Sequence, residues 1–196
     1  MIDAVFSVEG KSMPIDHGYR LLQEIVRVLP WLRDEENVGI IPIHGAATEH
    51  GNLLLSRRAT ITLRIKRTRI DDAKSLTGQR LNIGEDTLLV GPVKLRELHP
   101  YVAIHSPYVT NDHNDEISFM DEIHRELQEM GIRCRMVCGK PHVVDTGNAK
   151  VVAYSLALYD LPPDKSLLLL ERGLGKNRKI GCGVFVPHKS FAPVGG

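Results

Sequence analysis

Gly173-Leu174-Gly175-Lys176-Asn177-Arg178-Lys179-Ile180-Gly181-Cys182-Gly183-Val184-Phe185-Val186-Pro187 sets three basic residues between two Gly-x-Gly pairs near the end of a 196-residue chain. Glycine lets a backbone approach a polyanion closely while Lys176, Arg178 and Lys179 supply charge, so the stretch reads as a phosphate-facing loop. What surrounds it sets two nucleotide-binding patterns aside. Walker and dinucleotide loops need a strand before the glycines and a long helix after them. Here a short apolar run and a tail follow, and Gly175-Lys176 is succeeded by Asn177 where a Walker loop has Ser or Thr. An ordinary glycine-rich surface turn remains the alternative reading.

Working back from that loop, the chain alternates strand and helix signals twice. Asp3 to Val8 has strand alternation, and Asp16 to Leu29 has helical spacing with Leu22, Ile25, Val26 and Leu29 on one face. Asp16 is placed to cap that helix and Pro30 to stop it. Val38 to Ile43 and Arg58 to Lys66 read as strands, Ile70 to Leu76 as a short helix and Asp86 to Val93 as a further strand. The order recurs as strand Tyr101 to Val109, helix Asp115 to Met130, strands Arg133 to Cys138 and Lys150 to Leu158, helix Pro163 to Arg172 and strand Val184 to Val186. The expectation is an α+β chain of tandem ferredoxin-like (RRM-like) βαββαβ domains, residues 1–96 and 100–196, with a linker near Leu95 to Pro100 and a central cleft.

Bulk properties bound the function. No run of about 18 apolar residues occurs, and Met1-Ile2-Asp3 does not open a basic-then-apolar leader, so the reading is a cytoplasmic protein with no membrane span or secretory signal. Three cysteines suit a reducing compartment; Cys134, Cys138 and His142 lack the fourth ligand of a structural zinc site, and no cofactor or metal is expected. Net charge is only +1, yet Arg57, Arg58, Arg64, Lys66, Arg67 and Arg69 run with no acid between them. Such a local basic stretch is the footprint of an anionic partner. In the strand Ala59, Ile61, Leu63 and Ile65 are expected inward, and Thr60, Thr62, Arg64 and Lys66 outward on one charged face.

The glycine loop at the end of a tandem ferredoxin-like chain resembles the signature of the CRISPR-associated endoribonucleases that process repeat RNA, the Cas-six family. The N-terminal Pro14-Ile15-Asp16-His17-Gly18-Tyr19 with Leu29-Pro30-Trp31-Leu32, together with Gly181-Cys182-Gly183-Val184-Phe185-Val186-Pro187-His188-Lys189, is similar to one subfamily found with type I systems. The resemblance implies metal-independent cleavage of precursor CRISPR RNA within each repeat. The 2'-hydroxyl beside the scissile bond attacks phosphorus and leaves a 2',3'-cyclic phosphate. Implied partners are CRISPR repeat RNA and subunits of a type I effector complex.

That reaction needs a base, an acid and positive charge on the phosphorane. Of the nine histidines, His17 leads: it stands at the start of the first helix, where the helix dipole favours a neutral, proton-accepting ring. Tyr19 is placed to position the 2'-hydroxyl or phosphate, and His44, then His50, are the runners-up in the glycine-rich hairpin. The alternatives are a helix-cap role for His17, packing on the first strand for Tyr19, and a solvated loop position for His44 and His50. His105, His113, His124 and His142 read as positions without company, and His188 as finishing the last strand. Charge is assigned to Arg57, Arg58, Arg64 and Lys66 on the strand and to Gly173, Gly175, Lys176, Arg178, Lys179, Gly181 and Gly183 in the loop. With four Phe, five Tyr and one Trp, base stacking is expected to be minor. A non-catalytic RNA-binding subunit on the same fold, and a small-molecule module, are the rival readings.

Overall fold

A computed structural model describes residues 1–188, so Lys189 lies outside the described residues. The chain divides into two compact units: one of Met1–Leu98, Val144–Val151 and Asn177–Gly181, the other of His99–Val143, Val152–Lys176 and Cys182 onward.

The first unit contains strands β1 (Ile2–Glu9) and β2 (Ser12–Pro14), helix α1 (Gly18–Val28), strands β3 (Gly39–Ile41), β4 (Ala46–Ala47), β5 (Asn52–Leu54) and β6 (Thr60–Ile65), the short helix α2 (Ile70–Ala73), and strands β7 (Arg80–Ile83) and β8 (Asp86–Arg96). Its main sheet runs β3-β6-β1-β8-β7, antiparallel throughout. With β7 set aside as a hairpin partner of β8, this is the ferredoxin-like order, in which first and third strands lie centrally. Leu21, Ile25 and Val26 of α1 are buried with Ala4, Phe6, Ile61 and Leu63, forming one apolar core. Leu22, expected on that face, is partly buried at its margin. The antiparallel β4–β5 pair falls in the glycine-rich hairpin expected after Ile43, whereas β2 and β7 have no counterpart in the sequence reading, because strands this short carry too few alternations to register.

In the second unit β9 (Ile104–Val109), α3 (Glu116–Glu129), β10 (Arg135–Asp145), β11 (Lys150–Tyr159), α4 (Pro163–Arg172) and β12 (Val186–Pro187) form a sheet ordered β10-β11-β9-β12, again ferredoxin-like. Asp115 caps α3 by accepting the Ser118 N–H at 2.9 Å. Phe119 of α3 packs on Tyr154 with ring centroids 4.6 Å apart, which marks the face carrying Tyr154, Leu156 and Leu158 as the helix-covered side. His105 and His142, expected to stand alone, each meet another ring: His188 at 5.4 Å and Tyr108 at 5.4 Å.

The charged strand face departs from expectation. Arg64 is 1 % exposed and grips Asp3 of β1 with Nε–Oδ1 at 2.7 Å and a second nitrogen on Oδ2 at 3.1 Å. Asp3 and Arg64 are direct partners in the β1–β6 register, so the cross-strand position brings opposite charges together. Thr62 is buried as well. Lys66 pairs with Glu35, Arg67 with Glu97, and Arg69 with both Glu35 and Asp72. Arg57 and Arg58 are exposed and form no ion pair among the described residues. A run without nearby acids in sequence is thus largely neutralised by acids that folding delivers. Asp3→Ala, which leaves Arg64 buried without its carboxylate, is expected to destabilise the protein by about 3–5 kcal/mol in urea unfolding. Replacing Asp3 and Arg64 together by Leu and Met is expected to cost distinctly less.

Candidate functional site

Gly18 opens α1, and its Cα carries no side chain toward the Ile180 carbonyl: a Cβ there would lie 2.2 Å from that oxygen. The turn Arg178–Ile180 therefore sits directly on the head of α1, within the first unit. Beside them Tyr19, Leu22, Val38 and Thr146 join residues 177–180 in lining a recess of about 380 Å³.

Of the three loop cations, Lys179 donates to the Arg33 carbonyl at 2.5 Å and Lys176 pairs with Asp112 in the second unit. Arg178 differs. None of its guanidinium nitrogens has a hydrogen-bond partner among the described residues, and all three are shielded from solvent. Burial, together with the nearby charge of Arg64, pulls its pKa down to about 10, so it stays protonated at neutral pH. A shielded guanidinium without an acceptor among the described residues is costly, and only an anion that opens a way to it would supply both charge and acceptors.

The glycines do something other than present backbone to a polyanion. Each spends its N–H internally: Gly173 on the Leu169 carbonyl, Gly175 on the Glu126 carboxylate, Gly181 on the Arg178 carbonyl and Gly183 on the Tyr108 carbonyl. At Gly183, where φ is +66°, a Cβ would fall 1.9 Å from the Leu174 carbonyl oxygen. This closes the two Gly-x-Gly pairs on each other through the Leu174 N–H to Gly183 carbonyl bond at 3.3 Å. Gly173, Gly181 and Gly183 are buried. These glycines shape the loop; they leave no amide for phosphate. Glu126, half-buried, has its carboxyl raised by desolvation against the opposing pull of the Gly175 N–H.

His17 is 4 % exposed and both ring nitrogens are engaged, so it does not stand open at the head of α1. Nδ1–H donates to the Ile15 carbonyl at 2.9 Å and the Pro14 carbonyl at 3.1 Å, and Nε2 accepts the Ile43 N–H at 3.2 Å, a tautomer assigned from this network. Burial pushes its pKa below the ordinary 6.5, offset in part by the Pro14 and Ile15 carbonyls. The ring is a neutral clamp on the segment that leads into His44. His44 and His50 are exposed, and the charge of His44 is felt at His17. Asp16, expected to cap α1, instead accepts the Asp145 N–H at 2.9 Å from the β10–β11 hairpin tip. That tip lies flat on Tyr19: a Cβ on Gly147, at φ +86°, would sit 2.1 Å from the phenol ring. Asn177 adopts φ +65°, a left-handed conformation that asparagine tolerates. Nothing local in the sequence marked Thr146 or Gly147 as neighbours of Tyr19, because the contact spans most of the chain. Among the described residues no three His, Cys, Asp or Glu side chains converge as metal ligands.

The folded His17 holds its proton less tightly than the unfolded one, so its contribution to stability is present above pH 6.5 and is lost as pH falls from there toward the folded value. Melting temperature is expected to drop across that window, and His17→Gln to flatten the drop while lowering the plateau.

The chain matches the family model described as Cas6 Crispr over residues 2–190. It is 30% identical over 194 residues to a CRISPR-associated endonuclease Cas6 of Myxococcus xanthus (strain DK1622), covering 98% of this chain and 84% of that protein. In fold it is similar to a Cas6-related protein of Pyrococcus furiosus, with a TM-score of 0.70 at 15% identity over 96% of this chain and 98% of that one. A RAMP protein described as binding different RNA substrates gives a TM-score of 0.70 at 16% identity, covering 94% and 98%. The endoribonuclease Cse3 bound to a 19-nucleotide RNA gives 0.51 at 13% identity, covering 95% and 98%.

Proposed function

The chain belongs to the Cas6 family, and from that premise we propose that it is an endoribonuclease that binds precursor CRISPR RNA and cuts it within each repeat, by metal-independent attack of the 2'-hydroxyl on the adjacent phosphorus. The observation that carries this reading is Arg178: its protonated guanidinium is shielded and without an acceptor among the described residues, and its turn lines a recess together with Tyr19. Charge accumulates on the non-bridging oxygens as the phosphorane forms. A guanidinium already stripped of water stabilises that charge more strongly than a solvated one.

Protein groups supply the remaining functions in this proposal. Tyr19 hydrogen-bonds the reacting ribose or phosphate through a phenol whose ring the Gly147 turn holds in place. His44 is the proton-transfer residue: its imidazole is exposed, whereas His17 has no free nitrogen and acts by fixing Ile43, the residue before it. Arg57 and Arg58 take phosphates outside the recess. Lys66 contributes less, because Glu35 already holds it at 2.6 Å. Subunits of a type I effector complex are the partners that would receive the product.

Incubated in chelator with RNA carrying the repeat of its own array, the protein is expected to leave a 2',3'-cyclic phosphate. A 2'-deoxy substitution at the cut site is expected to abolish cleavage and spare binding. Arg178→Ala is expected to slow single-turnover cleavage by roughly 10²–10³-fold, and His44→Ala by roughly 10²–10⁴-fold. A shift of the RNA without any cut would instead identify a non-catalytic repeat-binding subunit, and near-normal cleavage by His44→Ala would remove that residue from the chemistry. In salt titrations, Arg57→Ala with Arg58→Ala is expected to reduce the slope of log affinity against log salt by roughly one to two units, with Lys66→Ala changing it far less.

A further inference from the structure

On the helix-free side of the second unit's sheet, three rings and a guanidinium meet face to edge. His105 of β9 lies opposite Ala157 of β11 and Val186 of β12, so its ring projects on the side away from Tyr154, Leu156 and Leu158. Tyr159, two residues past Ala157, shares that side. His188, held by its N–H to the Ala103 carbonyl at 3.0 Å, stacks at a tilt of 35° on His105, with centroids 5.4 Å apart, and edge-on to Tyr159 at 5.7 Å and 75°. Arg135 of β10 lays its guanidinium over the Tyr159 ring at 4.5 Å. None of the three rings is buried, and the Arg135 side chain is 64% exposed.

We propose that this Arg135–Tyr159–His188–His105 row is a stacking platform for unpaired bases of an RNA strand, separate from the Arg178 recess. Three arguments support it. Aromatic and imidazole faces left half in water on a four-stranded sheet offer π surface that every base can stack upon, with or without sequence preference. A guanidinium over a tyrosine adds a planar cation that stacks on a base and pairs with its phosphate. The acid it pairs with, Asp160, is 68% exposed at 3.3 Å, a rim contact that a phosphate can displace. The rings also gather from residues far apart in sequence, which is why a chain with so few aromatics still builds a cluster. That the strand is RNA rests on the reading of the chain as a repeat-RNA nuclease; the platform itself concerns the unpaired part of that RNA.

The test uses the full-length protein and 2'-O-methyl oligouridylate and oligoadenylate ten-mers, which cannot be cut by 2'-hydroxyl attack, beside a blunt RNA duplex of equal length. Tyr159→Ala and Arg135→Ala are each expected to weaken single-strand binding about ten-fold or more, with the duplex affected less than two-fold and Tyr159→Phe close to the parent. A 2-aminopurine in the oligonucleotide is expected to be quenched on binding to the parent and less so with Tyr159→Ala. Because Arg135 is a surface side chain, its replacement reports on binding even if Tyr159→Ala fails to fold. Unchanged single-strand affinity in the Arg135→Ala and folded Tyr159 variants, or an equal loss for duplex and single strand, would overturn the platform. These arms read binding alone, so they stand or fall independently of whether the protein cleaves repeat RNA.

Discussion

A guanidinium shielded from water with no acceptor is costly, and among the described residues Arg178 has none. The loop that carries it is fixed by its glycine amides. Gly173, Gly175, Gly181 and Gly183 each donate their amide inside the protein, and Ile180 rests on Gly18 at the head of α1. The glycines and the arginine are thus two parts of one device: the first fixes the backbone, the second carries the charge. In the proposed reaction, such a charge would need little reorganisation of water, which is the general advantage of preorganisation.

The same economy of charge runs through the first unit. Asp3 and Arg64 face each other across β1 and β6, with Arg96 also reaching Asp3 at 3.3 Å. Glu35 gathers Lys66 and Arg69, and these two cations hold its carboxyl below the usual range. A stretch of sequence that looks like one continuous basic surface is divided by folding into buried, paired and solvent-facing positions. Only the last class remains available to a polyanion.

Helix and strand identity were largely legible because apolar spacing is a local signal. α4 begins and ends where its flanking Pro162-Pro163 and Gly173 place it, and α3 differs from its sequence bounds only by the cap residue at each end. The site was legible in part. Tyr19 and Arg178 could be singled out as residue types suited to phosphate chemistry. The state of His17 could not, since its burial depends on Ile43 and on two carbonyls that curl back over the ring. Likewise Thr146 and Gly147 reach Tyr19 from a hairpin tip far along the chain that belongs to the same unit.

What the amino-acid order determined alone is the doubled βαββαβ succession, because periodicity, proline and glycine act over a few residues. Tertiary structure decided which charges keep their solvent, which imidazole can still exchange a proton, and which rings meet across a sheet. Those outcomes depend on desolvation and on partners brought from elsewhere in the chain, and neither quantity is written in local sequence.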